Sequence, residues 1–151
     1  MNPRLTKAQF YTLSFTWGLP LTLIGCVVAT VLCLLGHRPA KWSHCYYFEV
    51  GENWGGVELG VFFVKDKTSG IQTMNHECGH AIQNCYLGFL MPFIVSVPSA
   101  IRYWYRQYLR SVKKVETLPA YDSIWFEGQA TKLGKELFNW LAQENERKIN
   151  E

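Results

Sequence analysis

Two histidines and a glutamate stand at a spacing suited to metal-assisted hydrolysis in the pentapeptide His76-Glu77-Cys78-Gly79-His80. Thr73 to Leu87 is predicted helical, and on a helix the side chains at i and i+4 share one face. His76 and His80 then offer two imidazole nitrogens to one tetrahedral Zn²⁺, with Glu77 beside them to take a proton from a zinc-bound water. Such a zinc needs a third protein ligand and one position left open for water. The candidates are His37, His44 and a downstream carboxylate. Glu127 is the strongest, because it borders an apolar helical stripe with no basic neighbour at i±3 or i±4, so that its burial calls for a partner. Cys78 points away from the histidine face, and Cys85 lies more than a turn beyond it.

These residues need a helix before them, a helix after them and something to hold the two together. The stretch that follows Pro119-Ala120-Tyr121-Asp122 supplies the second helix, with Asp122 as its N-cap. Phe126, Ala130, Leu133, Leu137, Trp140 and Leu141 form its apolar stripe, and Gly128 and Gly134 allow close packing against the His76 helix. Upstream, Cys45 to Val50 and Val57 to Val64 are aromatic and β-branched and read as two strands of a small sheet, with a turn at Glu52 to Gly56. Gly88 is expected to cap the metal helix. The fold class is therefore α+β, with Val57 to Val64 a candidate strand for pairing with an extended substrate.

Leu13 to Gly36 carries no charge and is long enough, at about 1.5 Å per residue, to cross a hydrocarbon core of about 30 Å. It is predicted to be one transmembrane helix, with Gly18 and Pro20 marking its first turn or a kink. Gly36-His37-Arg38-Pro39 follows it in place of a small-x-small cleavage site, which argues against a signal peptide. Phe89 to Ile101 is apolar but broken by Pro92 and Pro98. A crossing there would separate Glu127 from the histidines, so this stretch is predicted to re-enter or lie on the surface. Arg102 to Arg110 then continues as an amphipathic helix in the headgroup layer, giving a membrane-associated segment over residues 89–110. The organisation expected is a tail over residues 1–12, the membrane helix over 13–36 and one domain over 37–151.

Composition agrees with this division. An apolar share of 48% beside a mean hydropathy of −0.05 suits one anchor on a soluble-sized domain better than a polytopic bundle. Five cysteines, an odd number with two inside an apolar run, argue against a disulfide scaffold and favour a reducing compartment. The basic residues Arg102, Arg106, Arg110, Lys113 and Lys114 interleave with Tyr103, Trp104, Tyr105 and Tyr108. With no nucleic-acid-binding motif beside them, they read as a membrane-interface belt. They and the cysteines place the catalytic domain of a single-pass membrane protein on the cytoplasmic side.

Taken together, the His-Glu-x-Gly-His helix, the apolar segment after it and Glu127-x-x-Ala130 on a later helix resemble the gluzincin metallopeptidases. The nearest likeness is to the membrane-bound branch of HtpX-like quality-control proteases and CaaX prenyl endopeptidases. The resemblance spans roughly Asn53 to Gly134 and lies in two short motifs. It implies a minimal zincin-like domain, zinc held by His76, His80 and Glu127, and Glu77 as general base acting on a peptide or a membrane-protein substrate. That group has an aspartate after the alanine where this chain has Thr131. Either the Thr131 hydroxyl or a backbone carbonyl must then orient a ligand histidine. The oxyanion donor is assigned to Tyr121, with Arg102 and Tyr105 as alternatives. The rival expectation is a membrane-tethered zinc protein without catalysis, a scaffold or sensor, against which the presence of Glu77 argues.

Overall fold

The computed structural model describes residues 1–150, an α+β arrangement of five α-helices and a four-stranded mixed sheet. Helix α1 (Lys7–Phe15) starts at a capping box: the Thr6 hydroxyl accepts the Gln9 N–H at 3.2 Å, and the Gln9 side chain accepts the Thr6 N–H at 2.9 Å. Helix α2 (Leu19–Leu34) follows at 94° to it. The charge-free stretch 13–36 is therefore two helices rather than one. Pro20 has no N–H to give and sits in the first turn of α2, so the chain turns before it. Gly18 lies at the corner, where a Cβ would come within 2.5 Å of the Asn84 side chain. Among the described residues no single helix is long and apolar enough to cross a membrane. One face of α2, Leu21, Thr22, Gly25 and Ala29, is buried, while Leu23, Ile24, Val27, Val31 and Leu34 are exposed.

The sheet is built from β1 (Ala40–Trp42), β2 (Cys45–Glu49), β3 (Gly56–Leu59) and β4 (Phe62–Lys65), in the order β1-β2-β4-β3. Val57 to Val64 is thus a hairpin and not a strand. Gly60, at φ 74°, reverses the chain, so that Val57 pairs with Val64 and Glu58 with Phe63. The turn is pressed onto α2, where a Cβ on Gly60 would lie 2.3 Å from the Thr22 hydroxyl. Strand β2 runs parallel to β4, which leaves β3 on the sheet edge.

Asp66 organises the loops beside that edge. Its buried carboxylate accepts the backbone N–H groups of Trp54, Gly55, Thr68 and Ser69 at 2.6–2.9 Å, and the hydroxyls of Thr68 and Ser69. The 52–56 turn is thereby fixed, and β3 starts at a set height beside the next helix.

Helix α3 (Ile71–Leu87) carries the pentapeptide and is buried almost continuously from Met74 to Cys85. It ends at Gly88, whose φ of 57° suits a residue without Cβ. A short 3₁₀ turn and a π-helical turn (Pro92–Ser96) lead into α4 (Val97–Ser111), and the chain bends by 115° between the two halves. Met91 and Val95 of this bend are buried; Phe93 and Val97 are exposed. Helix α4 itself has no buried residue.

Helix α5 (Trp125–Asn150) starts after a 3₁₀ turn (Tyr121–Ser123), so exposed Asp122 lies in that turn and is not the N-cap of α5. Phe126, Ala130, Leu133 and Leu137 are buried, with Trp140 and Leu141 partly so, as the stripe requires. Helices α3 and α5 meet backbone to backbone. A Cβ on Gly134 would fall 1.6 Å from the Asn75 carbonyl oxygen, and one on Gly79 would fall 1.8 Å from that of Ala130. Gly134 therefore does what the sequence leads one to expect. Gly128 does not, since it faces the Asp122 carbonyl of the preceding turn, and Gly79 takes its place.

Candidate metal centre

The glycine seam brings α3 and α5 together at three side chains. His76 and His80 stand perpendicular, at 88°, with their Nε2 atoms 3.1 Å apart. Glu127 Oε2 lies 3.0 Å from the first and 3.2 Å from the second. A tetrahedral zinc with bonds of about 2.0–2.1 Å needs ligand atoms about 3.3–3.4 Å apart, so a shift of a few tenths of an ångström admits the ion. Three protein donors of nitrogen and oxygen type suit zinc, although the same set takes other divalent transition metals.

Partners behind the ligands fix their orientation. His76 Nδ1 is 2.9 Å from the Thr131 hydroxyl, the first of the two partners considered for the place of the missing aspartate. His80 Nδ1 is 2.7 Å from Gln83 Oε1. The Gln83 amide is itself oriented, because its Nε2 donates to the Phe126 carbonyl at 2.8 Å and to Gln129 Oε1 at 3.0 Å. Its oxygen must then face His80, so Nδ1 donates to it and Nε2 is the nitrogen turned to the centre. Gln83 was missed from sequence, though its place three residues after His80 on the same face was a readable signal.

Three carboxylates surround the histidines. Glu127 is fully buried, and burial alone would raise its pKa. Hydrogen bonds from His76 and His80 and from the Ser99 hydroxyl outweigh this and hold it well below the usual carboxylate range. Burial works against the charged form of His80, yet Glu127, Glu77 and Glu58 together push it up to about 9. Glu77 is buried beside the ligands without being one of them; burial raises its pKa, opposed by the two histidines. Its carboxylate rests on the start of β3, where a Cβ on Gly56 would come within 2.6 Å of Oε1. Glu58, on the edge strand, is also buried, pushed up to about 8 by desolvation, and accepts the Gly60 N–H. It too was missed, although a glutamate among Val57, Leu59 and Val61 was the signal for it.

A cavity of about 700 Å³ opens onto His76, Glu77 and His80. Gly56 and Val57 of β3 and Tyr103 and Trp104 of α4 line it. Tyr121 lines it as well, its ring centroid 6.3 Å from that of His76 and its hydroxyl 3.1 Å from the Ser99 hydroxyl. Burial pushes Tyr121 up to about 12, so it stays a proton donor. The alternatives to it do not reach the cavity. Arg102 spends its guanidinium on the carbonyls of Ala120 and Tyr121 and the hydroxyl of Ser123, and Tyr105 is exposed. His44 is likewise excluded as a ligand, held on the Leu5 carbonyl at 2.9 Å; His37 stands outside the cluster. Cys45, Cys78 and Cys85 are buried, unpaired and apart from the ligands.

Comparison with protein-family models, with curated proteins and with solved structures finds no match for this chain. Its functional reading rests on this geometry and on the two motifs.

Proposed function

We propose that the chain is a membrane-anchored zinc endopeptidase. The observation that carries the reading is the placing of Glu77: a buried carboxylate on the cavity wall, next to a three-ligand cluster to which it does not belong. A purely structural zinc site has four protein ligands and no use for such a group. His76, His80 and Glu127 would hold the ion, which when bound supplies Lewis-acid polarisation and a water that ionises near neutral pH.

The remaining chemistry belongs to the chain. Glu77 accepts the proton of the attacking water as its oxygen bonds to the scissile carbonyl carbon, then returns that proton to the amide nitrogen as the C–N bond breaks. Its burial suits this exchange, because a desolvated carboxylate holds a proton more readily than one in water. Tyr121, which lines the cavity, is the candidate donor to the developing oxyanion, its O–H turning there from the Ser99 hydroxyl. The free edge of β3 offers backbone groups to an extended peptide, and the apolar part of the cavity takes a side chain.

Membrane association is part of the proposal. It is supported by the exposed apolar face of α2 and by Phe93, Val97, Ile101 and Trp104 along the bend and α4. The unpaired cysteines favour a catalytic domain on the cytoplasmic side.

The test is Glu77→Gln in detergent, assayed for bound zinc and for cleavage of a peptide library. Zinc content is expected to match wild type while cleavage disappears. Equal proteolysis by the variant refutes Glu77 as the base.

A further inference from the structure

Helix α4 is attached to the rest of the molecule by polar groups. It buries no residue, yet three side chains on one face, Ser99, Arg102 and Arg106, reach the chain on either side of Tyr121. Arg106 donates to the Pro119 carbonyl at 2.7 Å. Arg102 donates to the Ala120 and Tyr121 carbonyls at 3.1 Å and to the Ser123 hydroxyl at 3.0 Å. Both guanidinium groups also lie over the Tyr121 ring, 5.7 and 5.6 Å from its centroid. One turn earlier, Ser99 reaches further in. Its hydroxyl donates to Glu127 Oε1, the oxygen not shared by the histidines, and lies 3.1 Å from the Tyr121 hydroxyl.

Ser99 thus holds one carboxylate oxygen from outside the cluster while the other faces His76 and His80. A glutamate has three rotatable bonds, and a fully buried one cannot be steered by water. With Oε1 tied, the carboxylate plane is set and Oε2 is delivered to the ligand triangle. We infer that Ser99 is a positioning residue for the third metal ligand. Through it, the seating of α4, clamped by Arg102 and Arg106, sets the affinity of the centre for its ion. This inference rests on the metal-centre reading above and adds to it a control that lies on a separate helix.

The experiment measures zinc affinity of the full chain in detergent, by competition with a chromogenic chelator, and the visible absorption of the cobalt-substituted protein. Ser99→Ala is expected to weaken zinc by about 10- to 100-fold and to alter the cobalt bands, the scale on which lost outer-shell partners act. Ser99→Thr, which keeps the hydroxyl, should restore both. Arg102→Ala, which touches no ligand, should weaken zinc in the same direction by a smaller factor. Melting of the metal-free Ser99→Ala protein controls for folding. Wild-type zinc affinity and cobalt bands in Ser99→Ala overturn the inference and leave the metal centre standing. A loss of affinity that merely follows a loss of metal-free stability, unrescued by Ser99→Thr, also overturns it. If the wild-type chain binds no zinc, the metal centre and this inference fall together.

Discussion

The glycine inside the pentapeptide offers the sharpest test of how the site is assembled. In Gly79→Ala the new Cβ would lie 1.8 Å from the Ala130 carbonyl oxygen. A carbon meets a carbonyl oxygen at roughly 3.3 Å, so α5 must retreat by about 1.5 Å at that point. Glu127 sits one turn before Ala130 and is carried along. Its Oε2 would then move from 3.0 and 3.2 Å to roughly 4.5 Å from the two Nε2 atoms, against the roughly 3.3–3.4 Å a tetrahedral zinc requires. One of three ligands is lost, and zinc affinity should fall by at least about 100-fold, beyond what losing an outer-shell partner costs. Overpacking the seam should also cost about 1–3 kcal/mol, or a melting point lower by about 2–12 °C in a domain of this size. Chelator competition reads the first quantity and thermal denaturation in detergent the second. Gly70→Ala is the control, since a Cβ there meets nothing within 4 Å. A Gly79→Ala protein with wild-type affinity and melting would refute the claim that backbone contact between α3 and α5 builds the centre.

Other outcomes follow from the same contacts. Thr131→Val keeps the volume and removes the partner of His76 Nδ1; zinc affinity should drop about 10- to 100-fold, read by the same competition. Tyr121→Phe should leave zinc bound and lower kcat by about 100-fold or more in a peptide-cleavage assay, the scale of a lost oxyanion donor. Burial would raise the Asp66 pKa, but the hydrogen bonds it accepts outweigh this and hold it below its ordinary 3.8. Its contribution to stability is therefore present above pH 3.8 and lost as pH falls through the lower folded value. Asp66→Asn should melt lower than wild type at neutral pH, with the gap closing in melts below pH 3.8.

What could be read from sequence was local. His76 and His80 share a face because of helical period alone, and an acid bordering an apolar stripe identified Glu127. Thr131 followed from the same motif. The N-terminal stretch was misread because an absence of charge measures length and apolarity but carries no direction; the corner depends on Thr16 to Gly18 and Pro20, whose effect is conformational. Val57 to Val64 looked like one strand since its residues all favour extended backbone, and only Gly60 marked the reversal. Strand β1 is three residues long, too short for a pattern. Ser99 has no local signature, because its role depends on how far the chain bends between α3 and α4. Gln83 and Glu58 did have signals, a spacing and an out-of-place charge.

The contact between α2 and the β3–β4 turn has a consequence for how this chain can be handled. A Cβ on Gly25 would lie 2.1 Å from the Leu59 carbonyl, and Gly60 is equally tight against Thr22, so helix and hairpin touch through their backbones. Leu59 is the last residue of β3, the strand whose first residue, Gly56, lies against Glu77. The apolar N-terminus is therefore part of the packed fold and not an appendage that can be trimmed from the rest of the chain. Removing it would strip one face of the hairpin and leave β3 without its backing, so a truncated form is expected to lose the cavity beside the His76 and His80 helix.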